Sequence, residues 1–177
     1  LEGADLAGAD LSEANAAQLD FRSHGAPRSA SDAVLSGARL DGLDLRGCAF
    51  DGANLVGAQA PGAQLDGITA ERAELRGATP RGASLRGANL RGADLRRADL
   101  AGAVFEHADL TGALLDEACL AGASFRGAIL AGTSLAGCDL TEATLGAERL
   151  RAAGLHGCNL AGVSFDDMSL AGADLRG

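Results

Sequence analysis

The sequence predicts an all-β chain wound into a single solenoid, and three observations predict it. Leu or Phe recurs every five residues, Ala stands two residues before most of them, and Gly stands two residues after. From Leu35 to Leu175 this register has 29 positions, 26 of which hold Leu or Phe; the exceptions are Ala60, Ala70 and Pro80. Two residues earlier, 20 of the 29 are Ala and three are Cys48, Cys138 and Cys158. Two residues later, 21 are Gly. All five Phe residues, Phe21 included, stand at the Leu position.

The period excludes both regular alternatives. At about 100° per helical residue, five residues advance the Leu by a net of roughly 140°, which spirals it around a helix. In a continuous strand side chains alternate, so an odd period sends successive Leu residues to opposite faces. A three-residue strand followed by a two-residue corner resolves the conflict. Ala-x-Leu points Ala and Leu inward and the middle residue outward, and Gly at the corner accepts positive φ without a Cβ penalty. Winding such units closes one narrow core.

The A(D/N)LxG units, as in GANLRGADLRRADLAGAVF, resemble those of pentapeptide-repeat proteins, and the resemblance covers nearly the whole chain. It implies a right-handed quadrilateral parallel β-helix with four pentapeptides per coil, about eight coils in all. Residues twenty apart then stack. Phe105 lies over Phe125, with Phe165 further along the same side as a core stack, and Cys138 neighbours Cys158. The main repeats form a rod of about 35 Å at ~4.8 Å per coil.

Taken in order, the chain reads as a single repeat domain over 1–177 with three parts. Residues 1–21 form a first coil through Leu6, Leu11, Ala16 and Phe21. Residues 22–32 form a projecting loop, because RSHGAPRSASD puts eleven residues where an uninterrupted repeat needs two. Residues 33–177 run as continuous coils. Within them, Ala58 to Pro80 is expected to be looser or bulged, since proline removes a ladder donor. Glu148, in an inward slot, is expected to turn outward to avoid burying a lone carboxylate. Both ends are in register and show no cap, so the chain reads as cut from a longer polypeptide or as stacking end to end with another copy.

Composition narrows the function. The net charge is −9, all fifteen basic residues are Arg, and aromatic residues are 3% of the chain. An acidic balance argues against direct nucleic-acid binding through phosphates. No run of about 18 apolar residues occurs, so no membrane span is expected. Four cysteines without framework spacing suit a reducing, cytoplasmic setting. Cys48, Cys138 and Cys158 read as core packing with free thiols, and Cys119 as outward. His24, His107 and His156 lack metal-ligand spacing, no glycine run opens a helix as a phosphate loop does, and no nucleophilic triad is visible. No catalytic residue, metal or cofactor is expected.

The outward positions remain. Arg76, Arg81, Arg86, Arg91 and Arg96 recur every five residues, with Arg97 adjacent, and so girdle the rod. Val104, Leu114 and Ile129 read either as a modest contact patch or as scattered exposure. The resemblance implies a non-enzymatic protein-binding rod. Its best-understood members mimic DNA, bind DNA gyrase or a related type II topoisomerase and protect it from inhibitors. On that reading Arg22, His24 and Arg28 of the loop and Asp94, Asp99, Asp109, Asp116 and Asp139 of the coils are the candidate partner-binding residues. The alternative is a structural spacer or stacking module of a larger assembly. Outward Asp139 is expected to be dispensable for folding, and Phe125 essential.

Overall fold

The computed structural model describes residues 11, 14–23, 25–145, 154–164 and 176, and they wind as a right-handed quadrilateral β-helix. One repeat shows why. In Ala53–Gly57 the Asn54 N–H donates to the Ala33 carbonyl in the coil before, at 2.9 Å, and the Leu55 N–H to the Glu74 carbonyl in the coil after, at 2.7 Å. The Gly57 N–H reaches Arg76 O at 3.0 Å, and the Ala58 N–H closes the corner onto Leu55 O at 2.9 Å. Residues twenty apart therefore pair in parallel. On one side Asn15, Val34, Asn54, Glu74, Asp94, Leu114, Ser134 and Gly154 are bridged in succession. These eight rungs span about 34 Å at ~4.8 Å per step. Each side is too short for more than single bridges, except where Ser124–Phe125 (β1) pairs with Thr144–Leu145 (β2).

Inward slots pack as the period requires. Leu100, Phe105, Leu110, Leu115 and Leu120 are wholly buried, as are Ala103, Ala108 and Ala113 beside them. The Phe105 and Phe125 rings stack with centroids 4.9 Å apart and planes 6° from parallel; Phe165 lies outside the described residues. The buried hydroxyl of Thr133 donates to Leu110 O at 2.8 Å, so its small inward slot carries no orphaned polar group.

The corners carry the strain. Gly fills most of them with φ near +65°, but Arg72, Arg97, His107, Glu117 and Glu142 hold the same left-handed conformation at φ 56–60°. Four of these side chains lie over the corner glycine of the next coil. A Cβ added to Gly127 would fall 2.5 Å from His107 Nδ1, and one on Gly162 would fall 3.2 Å from Glu142 Cγ. Added Cβ atoms on Gly92 and Gly137 would meet Arg72 Cγ and Glu117 Cγ at 3.5 and 3.7 Å. Arg97 is the exception: Glu117 stands above it, and the two form an ion pair at 2.9 Å.

One expectation is corrected. Residues 27–32, the second half of the expected projecting loop, lie in the coil. Phe21–Ser23 forms a 3-10 turn (η1), and Pro27 and Ala30 are buried. Ser29 bridges Ala49, the Ala30 N–H reaches Ala49 O at 2.7 Å, and Asp32 takes a left-handed corner with φ 55°. Residues 28–30 are thus one side of the first described coil. Two five-residue repeats and a two-residue corner would need twelve residues between Phe21 and Ala33 and the chain supplies eleven, so Asn15–Val34 and Asp20–Arg39 pair across nineteen residues instead of twenty. The coil boundary thus falls after Asp32, not after Phe21.

Ala58 to Pro80, expected to be looser or bulged, forms no bulge. Gln59 still bridges Thr79, and the Asp99 N–H still reaches Ala78 O at 2.9 Å. Pro80 forfeits one ladder bond and no register. The small residues leave a void on the axis instead, lined among others by Ala60, Ala70 and Pro80. Glu148 lies outside the described residues.

Candidate functional site

Among the described residues the interior is lined almost entirely by apolar side chains and the charged groups stand on the lateral surface, where the aspartates have structural work. In each repeat the N–H of the residue after the inward Leu is left over by the coil-to-coil ladder. The Asp or Asn just before that Leu accepts it, as in an Asx turn. Asp94 caps the Arg96 N–H at 3.2 Å, Asp99 the Ala101 N–H at 3.3 Å, Asp109 the Thr111 N–H at 2.9 Å and Asp139 the Thr141 N–H at 3.1 Å. Asp116 stands one corner later. It accepts the Ala136 N–H at 3.2 Å from the next coil, together with the Ser134 hydroxyl. All five candidate aspartates therefore hold corners. The signal was the D/N position of the repeat itself.

The arginine girdle exists, and each member is paired. Arg81 meets Asp99 at 2.7 Å, Arg86 meets Glu106 at 3.2 Å, and Arg91 meets Asp109 at 3.0 Å, all one coil on. Arg96 grips Asp94 through both carboxylate oxygens at 2.8 and 2.7 Å, and Arg76 approaches the same group at 3.5 Å. The hydrogen bond from Arg96 holds Asp94 below the usual carboxylate range. Burial alone would raise Asp109, but bonds from Thr111 and Arg91 outweigh it and leave it lowered. Asp139 is lowered chiefly by the Thr141 hydroxyl.

The candidates do not converge. Asp99 and Asp139 share one side with Cys119 between them, Asp94 lies on the adjacent side, and Asp109 lies on the side opposite Asp99. Val104, Leu114 and Ile129 fall on three different sides, so they form no patch; Leu114 is the most exposed of them at 37%. Arg22 is exposed and held by Asp20 at 2.5 Å, a contact that brings the Asp20 pKa down to about 2. Arg28 is exposed on the side completed by Ser29–Ala30, and His24 lies outside the described residues. Sequence reasoning missed a corner groove of about 610 Å³ lined by Val56, Arg76, Arg96, Arg97, Asp116 and Glu117. Stacking by twenties places its charged residues together.

Among the described residues no group of His, Cys, Asp and Glu is arranged to hold a metal ion. Burial pushes the Cys48 and Cys138 thiols up to about 12, which removes the thiolate a nucleophile needs. Their Sγ atoms donate to Pro27 O and Leu115 O, and all four cysteines are free. Among the described residues no helix is long and apolar enough to cross a membrane.

Several solved structures resemble this chain, one of them with a TM-score above 0.5. A trypsin-treated variant of QnrB1, described as a plasmid-mediated fluoroquinolone resistance protein, matches with a TM-score of 0.62 at 20% identity, over 97% of this chain and 84% of that one. HetL of the cyanobacterium Nostoc sp. strain PCC 7120, described as involved in heterocyst differentiation regulation, matches at 33% identity and a TM-score of 0.41, over 96% and 84% of the two chains. The thylakoid-lumen protein AT2G44920 of Arabidopsis thaliana matches at 29% identity and a TM-score of 0.35, over 80% and 68%. No curated protein matches by sequence. The family model for pentapeptide repeats matches in eight copies, over residues 1–23, 31–67, 63–100, 81–116, 118–146 and 149–177, and this chain belongs to the pentapeptide-repeat family.

Proposed function

We propose that the chain is a non-enzymatic protein-binding rod whose partner is DNA gyrase or a related type II topoisomerase, engaged where that enzyme otherwise holds DNA. The observation that carries the reading is the division of the molecule. The described interior is sealed, and every described carboxylate stands on a lateral surface with a repeat of about 4.8 Å along the axis, in a chain of net charge −9. Such a surface presents acidic groups at regular spacing to a basic DNA-binding groove. Protection against gyrase inhibitors, as resistance or self-immunity, follows from occupying that groove, and entails a cytoplasmic setting. QnrB1, with the same fold, is described as a fluoroquinolone resistance protein; at 20% identity that likeness supports the fold, and the charge and shape support the role.

The corner caps supply a clean test. Asn accepts the same corner N–H as Asp but carries no charge. A variant combining D94N, D99N, D109N and D139N keeps the caps and removes four charges. Wild-type protein should inhibit supercoiling by purified gyrase at micromolar concentration, and the Asn variant should lose that inhibition while its circular dichroism and melting stay near wild type. Equal inhibition by both would refute charge mimicry, and none by either would refute gyrase as the partner. The spacer reading is favoured by one observation, the pairing of every girdle arginine with a carboxylate, which leaves the middle of the rod nearly neutral.

A further inference from the structure

The axial void is a site in its own right. In a four-sided coil, residues two repeats apart face each other across the axis, and Ala60 and Ala70 are such a pair. Both replace a Leu or Phe, and Pro80 stacks on Ala60 one coil later. Phe50, beneath Ala70, fills only part of the missing volume. A cavity of about 40 Å³ remains, lined by Leu55, Ala60, Leu65, Ala70, Leu75 and Pro80 together with neighbouring inward residues, none of them polar. Residual exposure marks the same place: Leu65 keeps 8% and Ala60 7%, whereas Leu110, Leu115, Leu120 and Leu140 keep none. Between Leu35 and Leu145, Leu75 is the one Leu of the five-residue register that is only half-buried.

Size and polarity together select the occupant. The volume exceeds the ~10–15 Å³ that admits a water but falls well short of the ~150 Å³ that admits benzene. A water held there would need two to four polar partners. The lining side chains offer none; of the nearby amides, Ala58 N–H closes its corner onto Leu55 O, and Leu65 N–H and Ala70 N–H are committed to Ser84 O and Asn89 O in the ladder. The cavity is therefore dry, and dispersion contacts its walls cannot make with one another are open to a guest.

We propose that this cavity is a binding site for a single small apolar molecule of xenon or dioxygen size, seated on the rod axis between Ala60 and Ala70. The site stands apart from the lateral surface and does not depend on the partner assigned above. Xenon is the probe. The ¹²⁹Xe resonance of dissolved gas should shift saturably on adding the full chain, and crystals pressurised with xenon should show one peak between Ala60 and Ala70. Ala70→Leu and Ala60→Leu each rebuild the missing side chain and should abolish both signals, while Ala49→Leu, outward on the same side as Ala70, should leave them. Benzene should not bind. Absence of a saturable shift and of a xenon peak in the wild-type chain would overturn the proposal, as would xenon retained in both filled variants. Should Ala70→Leu fail to fold, Ala60→Leu and the wild-type measurement still decide the matter.

Discussion

Asp139 separates the two jobs that an outward carboxylate can have. Its Oδ1 accepts the Thr141 N–H at 3.1 Å, the Thr141 hydroxyl at 2.6 Å and the Asn159 amide at 3.3 Å. Asp139→Ala strands the Thr141 amide at a corner that water reaches in part. The closest measured analogue is loss of a helix N-cap, which costs about 1 kcal/mol, in line with the ~0.5–1.5 kcal/mol of a single intramolecular hydrogen bond. For a chain of this size that shifts the melting temperature by about 2–4 °C. The sequence alone suggests a silent site, and the cap reverses that expectation. Asp139→Asn keeps an acceptor oxygen in the same place and should stay within a few tenths of a kcal/mol of wild type. Thermal and urea unfolding followed by circular dichroism measure both variants. If Ala proved as stable as wild type, the capping argument would fail. If Asn proved as damaging as Ala, the charge would be the stabilising element.

Four further outcomes are expected. Phe125→Ala removes a buried ring stacked on Phe105 and should cost about 3–5 kcal/mol in urea unfolding; a loss below about 1 kcal/mol would disprove the stack. Gly122→Ala, with open space around its Cβ, should cost only the left-handed strain of about 1–2 kcal/mol less a ~0.4–1 kcal/mol entropy gain. Gly127→Ala should cost more until His107→Gly clears the 2.5 Å clash, so equal losses at the two glycines would contradict the packing. On acidification, stability should hold above the ordinary carboxylate value of 3.8 and fall as pH drops through the lowered range that ends near 2 for Asp20. The lowered Asp94 and Asp139 act in the same direction, because protons then favour the unfolded chain; melting temperatures that rise on acidification would refute it. A thiol reagent at neutral pH should modify outward Cys119 and spare Cys48 and Cys138 until the rod is unfolded, as peptide mapping would show.

The period of five made the architecture readable because every level of the structure repeats with it. One inward Leu, one small inward neighbour and one left-handed corner per repeat leave a single way to close the core, and the Phe105–Phe125 stack follows from spacing by twenty. Legibility ended where the register slipped. Residues 22–32 read as an insertion because no Leu or Phe stands there at the five-residue step, yet Pro27 and Ala30 are buried and Ser29 bridges Ala49, so a side closes with one residue fewer in the coil. Shape, not residue identity, was what the coil required. The same blindness applies at Pro80, where the lost donor costs one bond and the lost volume appears across the axis at Ala60 and Ala70. The candidate aspartates are selected from the sequence as negative charge; the structure adds that each also accepts an amide at a corner.

That double duty changes what the net charge means. Residues 1–13 hold four carboxylates and no arginine, a share of −4, whereas residues 14–145 hold sixteen carboxylates against twelve arginines, also −4 over ten times the length. Most of those arginines lie against a carboxylate of their own or the next coil. Exposed pairs of this kind add little stability, typically 0 to ~1 kcal/mol, so their main effect is on the field a partner meets. Within about one Debye length, ~8 Å at physiological salt, a paired Asp109 or Asp99 presents a dipole instead of a charge. Asp116, Asp139 and Glu142 have no arginine partner among the ion pairs described, and they lie toward the C-terminal half, beyond the girdle. Asp32, Asp51 and Asp66, before Arg76, likewise have no arginine partner among the ion pairs described. The unneutralised carboxylates therefore lie on both sides of the arginine ring, and the ring is the nearly neutral collar between them.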